Sequence, residues 1–153
     1  MLMTEEVMPT DRVAGAARDE ALLHPLPGVL IVDDDDGMRE MLHDLLVRDG
    51  RFIVAGEARD GRDAVEAATR LQPAVVILDQ QMPGMTGLQA LPALRRCAPG
   101  AVVVMLSGSA GPELERQAVA AGAHAFVRKG TRLREILSLV GTLVDARPHV
   151  VAG

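Results

Sequence analysis

Apolar and polar positions fall into alternating blocks along this chain, and the blocks have two different periods. Aliphatic runs recur at Val29-Leu30-Ile31-Val32, Phe52 to Ala55, Val75-Val76-Ile77-Leu78, Val102 to Leu106 and Ala123 to Val127. A strand with one wet face would alternate, so the unbroken runs at 75–78 and 29–32 predict parallel strands buried on both faces, and the other three read as further strands. Between the runs the spacing becomes helical. Met38, Met41, Leu42, Leu45 and Leu46 form one stripe at i, i+3, i+4, i+7 and i+8. Ala64, Val65, Ala68 and Leu71 form a second, and Leu88, Leu91 and Leu94 a third. Leu133, Ile136, Leu137, Val140 and Val144 form the last.

The punctuation agrees with these blocks. Asp35 or Asp36 suits an N-cap, and Asp49-Gly50 closes the first helix. Gly61 opens the second helix and Pro73 stops it. Pro99-Gly100 is a turn. Pro112 suits the first turn of a fourth helix that runs to Ala121, with Gly122 as its cap. Thr131 is expected to cap the fifth helix, and Pro148 lies beyond its end. Pro92 falls inside the third helix and should kink or delay it. Strand followed by helix, five times over, predicts a parallel sheet with helices on both faces. The domain is expected to span 29–146. Residues 1–28 read as a mobile extension with a short helix near 12–23, and 147–153 as a tail.

Composition narrows the chemistry. The chain has 153 residues, of which 48% are hydrophobic, a globular proportion. Phe52 and Phe126 are its two aromatics, so the core must be aliphatic, with Met38 and Met41 in it. A net charge of −5 argues against broad electrostatic binding to nucleic acid. Cys97 alone can form neither an internal disulfide nor a cysteine metal cluster, and reads as a small residue on a helix. His24, His43, His124 and His149 show no metal-ligand spacing. The first residues lack a basic signal-peptide region, and no window approaches the ~20 apolar residues of a membrane span. A cytoplasmic protein without membrane contact is expected.

All carboxyl ends of a parallel sheet lie on one rim. The first strand delivers Asp33 and Asp34 there, the third Asp79, the fourth Ser107 and the fifth Lys129. Taken singly, Asp79 reads as a turn cap, Ser107 as a helix cap and Lys129 as a surface lysine. Asp33 and Asp34 would read as a solvated acidic loop, as Asp35 and Asp36 still do. Convergence changes the reading. At ~5 Å and an effective dielectric of ~20, each charged carboxylate pair costs on the order of 3 kcal/mol. Either pKa values rise or a divalent cation sits among them. Oxygen ligands without nitrogen or sulfur favour Mg²⁺. A carboxylate beside such a cation, a hydroxyl and an ammonium suits phosphoryl transfer.

The motifs IVDD, LDQQMPGMTG, MLSG and FVRKG stand in this order over Val29 to Val144. Together they resemble the response-regulator receiver domain of two-component signalling. The Lys129-Gly130 pair, where that family usually has Lys-Pro, is similar to receivers that precede LuxR-type DNA-binding domains. The resemblance implies a flavodoxin-like three-layer α/β sandwich, with a five-stranded parallel sheet in order 2-1-3-4-5 and five helices. It implies Asp79 as phosphoacceptor and Asp33 and Asp34 as the acidic pair holding Mg²⁺. The carbonyl of Gln81 would be a further metal ligand, and Ser107 and Lys129 would contact the phosphoryl group. Phe126 matches an aromatic that moves with Ser107 on activation; a plain core role is the other reading. The implied partners are a histidine kinase or phosphotransfer protein and a downstream target, reached through the fourth helix, fifth strand and fifth helix. Thr86 stands where the family often has Asp, and a helix cap is expected of it.

Two other functions compete. Asp34-x-Asp36-Gly37 mimics the nucleophile motif of Mg²⁺-dependent phosphatases of the haloacid-dehalogenase kind, but the later acidic motif of that family has no counterpart, since only Glu135 and Asp145 follow Lys129. A receiver-like interaction module that is never phosphorylated is the other. No turnover of an external substrate is expected, and with five residues after Pro148 no output domain is expected in this chain.

Overall fold

The computed structural model describes residues 25–109 and 111–147. The helix expected near 12–23 and the residues from 148 onward lie outside them. The strands are β1 (Gly28–Val32), β2 (Ile53–Ala58), β3 (Val75–Asp79), β4 (Val102–Ser107) and β5 (Ala125–Arg128). The helices are α1 (Asp36–Asp49), α2 (Gly61–Leu71), α3 (Gly87–Cys97), α4 (Pro112–Ala120) and α5 (Leu133–Asp145). All strand pairs are parallel, in the order β2-β1-β3-β4-β5. This is the flavodoxin-like architecture with its helices on two faces, as expected from the sequence.

Pleating sends alternate residues of each strand to opposite faces. Leu30, Val32, Val76, Leu78, Val103 and Met105 meet Ala64, Ala68, Ala90, Leu91, Leu94 and Ala118 from α2, α3 and α4. Val29, Ile31, Val75, Ile77, Val104 and Leu106 meet Leu42 and Leu46 from α1, and Ile136, Leu137 and Val140 from α5. Strands β3 and β4 are buried at every residue. Their unbroken aliphatic runs are the cause, since both pleat faces need an apolar partner.

Caps set the helix boundaries. Asp35 caps α1 by accepting from the Gly37 and Met38 amides, and Gly50 ends it in the left-handed region at φ 80. Thr86 and Gln89 form a capping box on α3. Pro112 occupies the first turn of α4, and Gly122, at φ 109, follows its end.

Five expectations need correction. Strand β5 runs over Ala125–Arg128, not from Ala123 to Val127. Strand β2 begins at Ile53 and runs to Ala58, past Gly56 and Glu57, not from Phe52 to Ala55. Phe52 instead packs into the core just before it. Met41 is 51% exposed and is not a core residue. Thr131 does not cap α5, which has Arg132 at its N-cap and no side-chain cap bond. Pro92 does not delay α3, which starts at Gly87 and includes it.

Candidate functional site

Strand β3 carries Asp79 to the carboxyl rim, and the register puts Asp79 beside Leu106 of β4. Strand β1 ends at Val32, so Asp33 and Asp34 leave the sheet next to it. Lys129 follows β5 directly, and its amide donates to the Ser107 carbonyl at 2.7 Å. The sheet order alone therefore gathers these residues.

Asp33, Asp34 and Asp79 each offer a carboxylate oxygen, and the three lie within 4.8 Å of one another. Asp33 and Asp79 are buried and Asp34 is exposed. Lys129 Nζ bridges the pair, 3.1 Å from Asp33 Oδ2 and 3.0 Å from Asp79 Oδ1. The Gln81 amide also donates to Asp79 Oδ1, at 3.1 Å. The second oxygen, Asp79 Oδ2, is buried without a hydrogen-bond partner. Buried carboxylate oxygens rarely stay unpaired, so this one stands out among the described residues.

Burial pushes the Asp79 carboxyl up to about 6, against the lowering effect of its hydrogen bond from Lys129; the nearby Asp33 charge adds to the rise. Burial works against the charge on Lys129, but its hydrogen bonds to Asp79 and Asp33 outweigh this and hold its pKa above the usual lysine value. Three carboxylates and one ammonium thus meet at this rim, more negative charge than the lysine neutralises.

Ser107 ends β4 fully buried, and its Oγ accepts from the Ser109 amide at 3.1 Å. Gln81 lies at the pocket edge, where its side-chain amide donates to Ser109 Oγ at 3.1 Å. That contact ties the loop after β3 to the loop after β4. Phe126 is half-buried against the α2–α4 face of the core, paired with Met105, so it lies on the same pleat face as Ser107. Asp36 stays outside the cluster: it is exposed and bonded to Arg39, which holds its carboxyl below the usual range. That removes the second acid of the dehalogenase-like motif from the pocket.

Gly87 shows how closely Asp79 is hemmed in. A Cβ there would stand 2.3 Å from the Asp79 carbonyl oxygen, so α3 can start this near β3 only on a glycine. Sequence reading missed Arg39, whose guanidinium is buried among Asp33, Asp36 and Glu57. It also missed Ser109 as the partner of Gln81.

An open parallel sheet in this order, with an acid cluster and a lysine where the strand order reverses, defines a flavodoxin-like domain built to bind at its carboxyl rim. The chain belongs to the response regulator receiver domain family, whose model matches residues 29–141. It is 40% identical over 101 residues to the chemotaxis protein CheY of Thermotoga maritima, a match covering 66% of this chain and 83% of that protein. It is 43% identical over 102 residues to a protein-glutamate methylesterase/protein-glutamine glutaminase of Moorella thermoacetica, covering 66% of this chain but 24% of that protein. The chain thus spans about a quarter of that relative. The receiver domain of the response regulator NarL from Mycobacterium tuberculosis superposes with a TM-score of 0.76 at 32% identity, covering 81% of this chain and 100% of that one. LuxR-family regulators stand among the solved structures of this fold, beside CheY and CheB receivers. No helix among the described residues is long and apolar enough to cross a membrane.

Proposed function

We propose that the chain is a phosphoacceptor switch, phosphorylated on Asp79 by a histidine kinase or phosphotransfer protein, with Mg²⁺ in the acidic pocket. The observation that carries this reading is the unpartnered, buried Asp79 Oδ2 beside two further carboxylates and a lysine. The donor set fits Mg²⁺: hard oxygens, more negative charge than one lysine neutralises, and an exposed Asp34 that leaves room for metal-bound water. Asp33, Asp34, Asp79 and the carbonyl of Gln81 would hold the ion. When bound, it would neutralise charge on the transferring phosphoryl oxygens and on the carboxylates.

The chain's own residues supply the rest. An Asp79 oxygen attacks phosphorus, the bond from phosphorus to the donor's imidazole nitrogen breaks, and the imidazole leaves with that electron pair. Lys129 is held at Asp79 by its ion pair, within reach of a phosphoryl oxygen. The Ser107 hydroxyl, buried at the same rim, would donate to another. Ser107 and Phe126 lie on one face of the sheet, so a change at Ser107 would reach the surface of α4, β5 and α5, where a downstream protein would read it. The domain would span 29–146 in the cytoplasm and return to its resting state by hydrolysis of its own acyl phosphate, without turning over an external substrate.

The test is incubation with acetyl phosphate and Mg²⁺, read by intact mass. The wild type should gain one phosphoryl group, and Asp79→Ala should gain none. An unchanged wild-type mass, or equal gain in the variant, contradicts the reading.

A further inference from the structure

Arg39 is a charged residue on the buried side of α1, with its side chain only 9% exposed. A buried guanidinium needs partners for a fork of five N–H donors. Arg39 finds them on three elements. Nη1 donates to the Asp33 carbonyl at 2.6 Å. Nη2 donates to the Asp36 carboxylate at the start of α1. Nε lies 3.3 Å from the Glu57 carboxylate on β2.

Asp33 itself is held at several points. Its amide donates to the Ala58 carbonyl at 3.1 Å, and its Oδ1 accepts from the Asp35 amide at 2.9 Å. Oδ2 is left for Lys129. The carbonyl that Arg39 grips belongs to the peptide joining Asp33 to Asp34. Its orientation sets the direction in which Asp34 leaves the strand. Resting on the proposed reading of this pocket as a Mg²⁺ site, we propose that Arg39 is its positioning residue. By tying the Asp33–Asp34 peptide to α1 and β2, it keeps the carboxylates of Asp33 and Asp34 turned toward Asp79.

A purely structural ion pair would cost stability when broken and leave cation affinity in the folded protein unchanged. A positioning role predicts the opposite emphasis. Lysine keeps the charge but loses the planar fork, so it can serve only part of the arrangement. Groups that orient metal ligands typically alter affinity by about 10–100-fold when removed.

The experiment uses the full chain as wild type, Arg39→Lys and Arg39→Ala, each checked for folding by circular dichroism. Mg²⁺ alone is titrated by calorimetry. Metal-free hydrogen exchange is followed at the Asp35 amide, and acetyl phosphate incorporation is measured across Mg²⁺ concentrations. Arg39→Ala should bind Mg²⁺ about 10–100-fold more weakly, and Arg39→Lys by a smaller factor. Both should exchange the Asp35 amide faster than wild type, and incorporation at saturating Mg²⁺ should recover to within about threefold. If Arg39→Ala does not fold, Arg39→Lys decides. Wild-type Mg²⁺ affinity in a folded variant, or a loss that saturating Mg²⁺ does not recover, overturns the positioning role. A wild type that binds no Mg²⁺ overturns the reading of the pocket itself, and the positioning role with it.

Discussion

The two ends of the same sheet are built on opposite terms. At the amino edge, polar groups meet partners that are mostly backbone. Arg95 donates to the carbonyls of Pro99 and Ala101, and Arg147 Nη1 to those of Ala74 and Gly100. His124 accepts the Val103 amide, and burial together with Arg95 and Arg147 keeps it below the usual histidine pKa. Cations there close the loops that feed the strands. At the carboxyl rim, like charges are pressed together, a carboxylate oxygen is left unpaired, and an aspartate is held near pKa 6. Arg147 Nε is also unpaired, but its guanidinium still serves two carbonyls. One end of the sheet pairs its charges with backbone, and the other presses like charges together.

Substitutions at each end should separate these roles. The largest contrast is chemical. Asp79→Asn should lower acetyl phosphate incorporation at least ~100-fold, about 3 kcal/mol in the barrier, while Arg95→Ala stays within about twofold of wild type. Intact-mass time courses would show it.

Next is the backbone approach at the rim. Gly87→Ala places a methyl against the Asp79 carbonyl and should cost about 2–3 kcal/mol in urea unfolding. Gly100→Ala, at the amino edge with nothing within 4 Å of its added Cβ, should stay within about 0.5 kcal/mol.

The third contrast is in pH. Asp79 has a folded pKa of about 6 against an ordinary value of 3.8, so between those limits the folded chain binds the extra proton. Stability then falls as pH rises through that window, and the penalty is complete above it. In metal-free buffer Asp79→Asn should therefore be more stable than wild type by about 1–2 kcal/mol at pH 8, with the gain gone below about pH 4. Urea midpoints at several pH values check this. A smaller effect falls at the amino edge, where Arg95→Ala should lose only about 1 kcal/mol at pH 8.

The legibility of the chain follows the same division. Strands β3 and β4 were readable because both their faces are buried, so no polar residue interrupts them. Strand β2 is at the sheet edge, where Gly56 and Glu57 are tolerated, and its apolar run stops early for that reason. Asp33, Asp34, Asp79, Ser107 and Lys129 could be gathered from strand ends alone, because parallel strands share a rim. Side chains that close across loops could not: nothing in the spacing of Gln81 and Ser109 says that they meet.

The misplacement of Met41 and the omission of Arg39 are one error. At about 100° per residue, Leu42 and Leu46 centre the buried arc of α1 on the side of Arg39, away from Met41. The helix is rotated from the stripe that apolar residues alone suggest. A buried arginine stands there because its surroundings offer the Asp33 carbonyl after β1 and the carboxylates of Asp36 on α1 and Glu57 on β2. The motif resemblance named the carboxylates and the lysine, but the residue that holds their peptide in place emerged only from the packing.

The most direct measurement locates the acceptor. Wild-type chain treated with acetyl phosphate and Mg²⁺ can be reduced with borohydride, which converts an aspartyl phosphate to homoserine, and then mapped by peptide mass spectrometry. The account predicts homoserine at position 79 alone. Homoserine at Asp33 or Asp34, or none after full exposure to the donor, would contradict it.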